Sequence, residues 1–253
     1  MKITFLGTGT SQGVPIIACD CVVCQSLNTK DKRLRSSVLV EFDNNKIVID
    51  TGPDFRQQML REKVDRLDAV IFTHAHRDHL AGLDDIRGFN FKMKKSIDVY
   101  CTDYVEQAIR REFFYAFEEQ KYPGVPEMNI VNISDLPFIL FGKKIIPVKV
   151  FHHKLPVLGF RIHDFVYITD ANKIDEDEKK KIKGCKVLVL NALRKSDHIS
   201  HFSLQQAIDL ANELEAEYTY FTHISHQLGL HDEVEMELPS NMHLSYDGLS
   251  LNL

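Results

Sequence analysis

No apolar run in this sequence of 253 residues approaches the ~18 needed to cross a bilayer. Met1-Lys2 leads straight into strand-like residues, without the charged and then apolar stretch of a leader. These absences set the expectation of a cytoplasmic protein with no membrane partner. A basic excess is also missing, since 31 Lys and Arg face 36 Asp and Glu for a formal charge of −5. Such a surface argues against a nucleic-acid partner gripped over the whole molecule. The runs Lys92-Met93-Lys94-Lys95 and Lys179-Lys180-Lys181 read as solvated helix ends or loops. Cysteine is odd in number, with five residues, three of them inside positions 19–24. A disulfide framework is not spaced that way, so metal binding is the better reading. No composition shift or flexible linker divides the chain, and residues 1–253 are expected to form a single domain.

What is present fits a soluble globular protein, with 44% hydrophobic and 26% charged residues. Alternating apolar residues predict strands at Lys2–Gly7, Ser37–Phe42 and Lys46–Asp50, the last two forming a hairpin around Asp43-Asn44-Asn45. Further strands are predicted at Ala69–Thr73, Ile97–Thr102, Phe138–Phe151, Gly159–Ile162, Phe165–Thr169, Lys186–Leu190 and Tyr218–Thr222. Helical spacing is read at Phe55–Arg61, Tyr104–Phe117 and Leu204–Leu214. The tail Met242–Leu253 alternates weakly and is read as a final strand pair. Strand groups separated by helices suit two sheets covered by helices.

His74, His76, Asp78 and His79 fall directly after the strand Ala69–Thr73. A strand end is rigid and the loop after it can curl, so imidazoles at i and i+2 can converge on one ion while Asp78 and His79 turn toward a second. Imidazole nitrogen with carboxylate oxygen suits Zn²⁺, Mn²⁺ or Fe²⁺ and is a poor fit for Ca²⁺ or Mg²⁺. Two neighbouring cations would activate water and clamp phosphoryl oxygens, which makes a metal-dependent phosphodiesterase the expected function. A proton donor for the leaving oxygen is still needed; His201, just before the helix Leu204–Leu214, is the candidate, with His198 its competitor.

This pattern, His-x-His-x-Asp-His after a strand, resembles the metallo-β-lactamase superfamily. Leu6-Gly7-Thr8-Gly9-Thr10 looks like its first turn. Ile49-Asp50-Thr51-Gly52 looks like its second motif, whose Asp packs beneath the metal loop. The resemblance implies a four-layer αββα sandwich of the α/β class, with a site at one edge of its two sheets. It implies His152 as the next ligand, Asp170 as a carboxylate bridging both metals, and His223 as the last. By that carry-over His74, His76 and His152 hold one metal, and Asp78, His79 and His223 the other. His153 competes with His152 for the role; neighbours on a strand point to opposite faces, so only one should reach the ion. Di-iron relatives place Glu where His76 stands, so histidine there points to hydrolysis.

Cys19-Asp20-Cys21-Val22-Val23-Cys24 has the spacing of a structural zinc site lacking one ligand. Together with Gln12-Gly13-Val14-Pro15, it resembles the carbon–phosphorus lyase accessory phosphodiesterases, which act on cyclic phosphates of ribose. That resemblance makes His226, in Thr222-His223-Ile224-Ser225-His226-Gln227, the fourth ligand of a structural Zn²⁺, and His201 the general acid. The implied cofactors are two divalent ions, Zn²⁺ or Mn²⁺, plus that zinc. The implied partners are a small cyclic or nucleotide-like phosphate ester and, as such proteins suggest, a second copy in a homodimer. Two other readings stand beside it. One is a tRNA 3′-processing endonuclease, which the acidic charge and the lack of a long insertion disfavour. The other is a non-catalytic carrier like the pyrroloquinoline quinone biosynthesis member, which the complete ligand set disfavours.

Overall fold

Alternation along the strands decides the layering. In β1 (Lys2–Gly7), Ile3 and Phe5 belong to one apolar cluster and Leu6 to another. The same split recurs in β2 (Ser37–Phe42), where Val38 and Val40 face away from Leu39, and in β3 (Asn45–Ile49), where Ile47 and Ile49 face away from Val48. Period-2 side chains place each set on one face of a sheet, so both faces of these strands are buried. The computed structural model describes residues 1–253.

One sheet adds β4 (Ala69–Ile71), β5 (Ile97–Cys101) and β6 (Met128–Asn132) and ends on the last strand of the chain, β15 (Ser250–Asn252), in the order β15-β1-β2-β3-β4-β5-β6. The other contains β7 (Phe138–Leu140), β8 (Lys143–His152), β9 (Leu155–Ile162), β10 (Phe165–Tyr167), β11 (Lys173–Ile174), β12 (Val187–Asn191), β13 (Tyr218–Thr222) and β14 (Met242–Leu244). Its order is β11-β8-β9-β10-β12-β13-β14, with β7 paired to β8. The cluster between the sheets joins Ile3, Phe5, Val38 and Ile71 to Phe160, Phe165, Tyr167 and Val189. Outside the first sheet lie α2 (Phe55–Arg61), α3 (Arg77–Leu80), α4 (Arg87–Met93) and α5 (Asp103–Glu112), all contributing to one cluster. Outside the second lie α6 (Glu176–Ile182), α7 (Leu204–Glu213) and α8 (His231–Glu237). A short α1 (Val22–Gln25) sits in the cysteine loop. The result is the expected αββα sandwich.

Parallel pairing at β3·β4, β10·β12 and β12·β13 brings the C-terminal ends of strands from both sheets to the same edge. There Asp50 follows β3, the His-rich segment follows β4, His152 ends β8, Asp170 follows β10 and His223 follows β13. The site collects where the parallel strands end.

Several elements differ between expectation and structure. Phe138–Phe151 is two strands, because Phe141 and Gly142 both adopt positive φ (47° and 77°) and form a two-residue hairpin turn. The helix read at Tyr104–Phe117 ends at Glu112 and resumes as a 3₁₀ turn at Phe114–Ala116. The tail holds two strands that do not pair with each other, since β14 joins one sheet and β15 the other. Lys179–Lys181 close α6, a helix the sequence reading left out, and pair at i,i+3 with Glu176, Asp177 and Glu178.

Candidate metal centre

Asp50 and His223 each follow a strand with φ of 65° and 55°, a left-handed geometry uncommon for residues with a Cβ. Such outliers collect at functional sites. The turn lets Asp50, fully buried, face back under the His-rich loop: its Oδ1 accepts from Thr73 N (2.9 Å), and its Oδ2 accepts from Thr73 Oγ1 (2.8 Å) and meets His79 Nδ1 (2.8 Å). Thr51 N donates to His79 O (2.7 Å), and a Cβ on Gly52 would lie 2.1 Å from Asp78 O. Only glycine admits that approach. The second motif therefore clamps α3, which carries Asp78 and His79.

Three imidazoles have their outer nitrogen engaged in this way. His79 Nδ1 is held by Asp50, His74 Nδ1 lies 2.9 Å from Thr73 Oγ1, and His152 Nδ1 lies 2.8 Å from the carbonyl of Ser200. Partners of this kind fix the tautomer and leave Nε2 free as a ligand atom. The Nε2 atoms of His74, His79 and His223 are buried with no hydrogen-bond partner in the protein. Asp170 Oδ1 lies 3.3 Å from both His79 Nε2 and His223 Nε2, and its Oδ2 lies 3.8 Å from His74 Nε2. Asp78 Oδ2 lies 3.1 Å from His79 Nε2 and 3.6 Å from His223 Nε2. Buried lone pairs converging without donors are costly unless something cationic accepts them. The donor set of nitrogen and carboxylate oxygen fits divalent zinc or manganese.

Three groups of donors overlap at Asp170. Asp78, His79, Asp170 and His223 form one, His74, His76 and Asp170 a second, and His152, Asp170 and His201 a third. His76 is exposed and stands 5.2 Å from His152 by ring centroids, so His152 faces the second group. His153 is turned out into solvent at φ 57°, its N–H bound to Asn172 Oδ1 (2.7 Å), and does not enter the cluster. His201 is buried beside His152 (4.5 Å) and His223 (4.7 Å), its Nδ1 without a partner. His198 stands one ring further out, 5.2 Å from His201.

Electrostatics within the cluster are strongly coupled. Burial and the neighbouring His79 hold His74 well below the usual histidine range. Burial opposes charge on His79, yet Asp78, Asp170 and Asp50 around it raise it well above that range. Asp170 stays well below the usual carboxylate range because His223 and His79 outweigh its burial. His201 is pushed down to about 2 by burial and then by His223, so it is neutral in the free protein.

The cysteine loop builds a separate set. Cys19, Cys21 and Cys24 place their Sγ atoms 3.3, 3.2 and 3.6 Å from one atom, His226 Nδ1. One nitrogen carries at most one hydrogen, so it cannot satisfy three sulfurs. These spacings match the ~3.5 Å edge of a tetrahedron built on zinc's bond lengths to sulfur and nitrogen. The set joins residues separated by more than 200 positions.

Ser200, Asn172 and Thr73 are parts of the site that sequence reasoning missed. Ser200 acts through its backbone carbonyl, Thr73 through its hydroxyl and Asn172 through its side-chain amide, none of which carries the residue-type signature of a ligand. Only Asn172, just beyond Asp170, offered a local hint.

A family model described as Beta-lactamase superfamily domain matches residues 45–224. The chain belongs to the metallo-β-lactamase superfamily. A solved diphosphatase of the PhnP family is 38% identical, with a TM-score of 0.93 over 100% of this chain and 97% of the other, and it places this superfamily member in that family. Zn²⁺-bound PqqB from Methylobacterium extorquens shares the fold at a TM-score of 0.82 and 18% identity, over 100% of both chains. A protein named octanoyltransferase from Porphyromonas gingivalis is 39% identical over 98% of this chain and 51% of its own length. The chain thus spans about half the length of the curated relatives it matches. By fold and family it is a metallo-β-lactamase-fold protein with candidate His/Asp metal sites. No helix is long and apolar enough to cross a membrane.

Proposed function

We propose that this protein is a phosphodiesterase of small cyclic or nucleotide-like phosphate esters, working with two divalent cations, Zn²⁺ or Mn²⁺. The observation that carries the reading is Asp170, whose carboxylate faces both donor groups, at 3.3 Å from His79 and His223 and 3.8 Å from His74. His74, His76 and His152 would hold one cation, Asp78, His79 and His223 the other, and Asp170 would touch both. Cys19, Cys21, Cys24 and His226 would hold a structural Zn²⁺. Bound cations supply an acidified water and neutralise phosphoryl oxygens.

The side chains do the rest. Asp78 stays ionised because His79 and His223 outweigh its burial, so it accepts a hydrogen bond from the attacking water and aims it. Asp50 and the Ser200 carbonyl keep His79 and His152 in their ligating tautomers. His201 is neutral before substrate arrives. The negative charge of a phosphate ester beside the ring raises its proton affinity, so that His201 takes up a proton from solvent as the substrate binds and delivers it to the departing oxygen. The reduced thiols of the cysteine loop suit a cytoplasmic location. A homodimer, to be checked by light scattering, completes the proposal.

Purified protein loaded with Zn²⁺ or Mn²⁺ should hydrolyse bis(p-nitrophenyl) phosphate. D78A should lose at least ~100-fold in kcat on that substrate, and H201A as much on a diester whose alcohol leaving group needs a proton, the scale of general acid–base catalysis, with unchanged circular dichroism. Full rates in both variants would refute the reading. A second substrate class is favoured by the solved relative named a diphosphatase. In a phosphoanhydride the departing phosphate needs little protonation, so H201A should slow a nucleoside diphosphate ester far less than a phosphodiester. The relative named octanoyltransferase adds acyl esters to the screen. Turnover confined to those would replace the phosphate assignment.

A further inference from the structure

The loop between β12 and α7 is held in place by side chains from several directions. Asn172 Nδ2 donates to Ile199 O (3.0 Å), and Arg194 Nη2 donates to Asp197 O (2.6 Å). Arg194 Nη1 also ties the loop to Gln227 Oε1 (3.0 Å). Within this frame, the Ser200 N–H donates to His198 Nδ1 (3.3 Å), and Ser200 Oγ lies 3.3 Å from the same atom. A nitrogen that accepts a backbone N–H carries no hydrogen, so neutral His198 bears its proton on Nε2. No group of the protein accepts from that Nε2, and it is not among the buried atoms lacking a partner, so it opens to solvent. His198 is therefore a fixed, half-buried donor with nothing to donate to.

Its place in the row of rings says what it meets. From the metal-ligand group outward the order is His152, His201, His198, with centroid steps of 4.5 and 5.2 Å. The row rests on the phosphodiesterase reading: if His201 delivers a proton to the departing oxygen, the next ring outward lies beside the atoms beyond that oxygen. We propose that His198 is a specificity-determining residue that donates its Nε2–H to an oxygen acceptor on the leaving group, selecting polyhydroxylated, sugar-like alcohols over bare ones. The exposed Ile199, 70% accessible on the same loop, leaves that position open to a substrate of some bulk.

The same imidazole also holds Ser200, whose carbonyl meets His152, so a purely structural role predicts a different outcome: loss of metal. The test titrates the metal-loaded protein with adenosine 5′-monophosphate and with inorganic phosphate by calorimetry, alongside its metal content. In H198A, affinity for the nucleotide should fall about three- to tenfold, the range for one hydrogen bond, with inorganic phosphate within twofold and metal content unchanged. H198N, which keeps both an acceptor for Ser200 and a donor, should recover most of the loss. Equal losses for both ligands, loss of metal, or unchanged nucleotide affinity would each overturn the proposal. Discrimination by His198 in a protein that cleaves no phosphodiester would instead sink the hydrolytic reading alone. Turnover of bis(p-nitrophenyl) phosphate with nucleotide binding indifferent to H198A would sink this inference alone.

Discussion

Asp50 has no exposed surface, and both its oxygens are taken by Thr73 and His79, so it has little capacity left for a cation. Its work is to orient His79 and raise that ring's basicity. An isosteric D50N keeps the volume but loses the charge that holds the His79 N–H. Zinc affinity in a competition titration should drop about 10- to 100-fold, the usual cost of losing such an outer partner. A second buried ring behaves oppositely. His231 faces Arg33 Nη2 at 3.1 Å, and its pKa is lowered to about 4 by burial and then by Arg33. Its folded value lies below the unfolded one, near 6.5, so the unfolded chain binds more protons between these limits. The stability from keeping it neutral is fully present above pH 6.5 and is lost as pH falls toward 4. In H231N the slope of unfolding free energy against pH in that window should be shallower by up to about 1.4 kcal/mol per pH unit. Equal slopes by urea denaturation would count against it. At this scale the sequence was informative wherever chemistry resides in a side chain: His74, His76, Asp78 and His79 declared themselves by spacing. His231 and Ser200 did not, since their roles come from neighbours distant in the chain.

At the scale of elements, α3 is only four residues long and owes its position to tight backbone contact with Gly52 and Gly82. A Cβ on Gly82 would lie 2.1 Å from Gly52 O. G52A should therefore cost roughly 1–3 kcal/mol in chemical denaturation, as overpacking does. It should weaken metal binding at the same time, because Asp78 must move. A variant as stable and as metal-replete as the parent would show that the loop tolerates the shift. Long alternating strands such as β1, β2 and β13 were legible because both faces pack, and Phe55–Arg61 because its apolar spacing matches a helix turn. The errors have physical causes. Phe141-Gly142 reverses the chain within an otherwise apolar stretch, where periodicity alone cannot register a turn. Helices α6 and α8 carry one and two buried residues and so leave little amphipathic signal.

For the whole molecule, the cysteine loop and His226 fasten the N-terminal region to the segment beginning at His223. Ile224 N donates to Thr8 O (2.9 Å), and Thr10 N to Ile224 O (3.1 Å), beside that junction. H226A should lower zinc content by one ion per chain. Its melting temperature should fall by roughly 2–8 °C, as about 1–2 kcal/mol would produce in a chain of this size. An unchanged zinc count would remove the structural site. The sandwich was legible from alternation and from the superfamily motifs. The partition of the tail strands between two sheets was not, because pairing partners are chosen by topology rather than by local pattern.

The donor atoms at the strand ends come from both sheets: Asp78 and His79 from one, His152, Asp170 and His223 from the other. Ions would rivet the two leaves of the sandwich along a single seam, while at the far rim the ion pair between Lys143 Nζ and Asp43 Oδ2 (2.9 Å) joins them. Stripped by a chelator, the molecule should loosen like a book opened at its fore-edge. Amide exchange should quicken first around Thr73 and Thr222 and leave the paired residues Lys2 and Asn252 as slow as before.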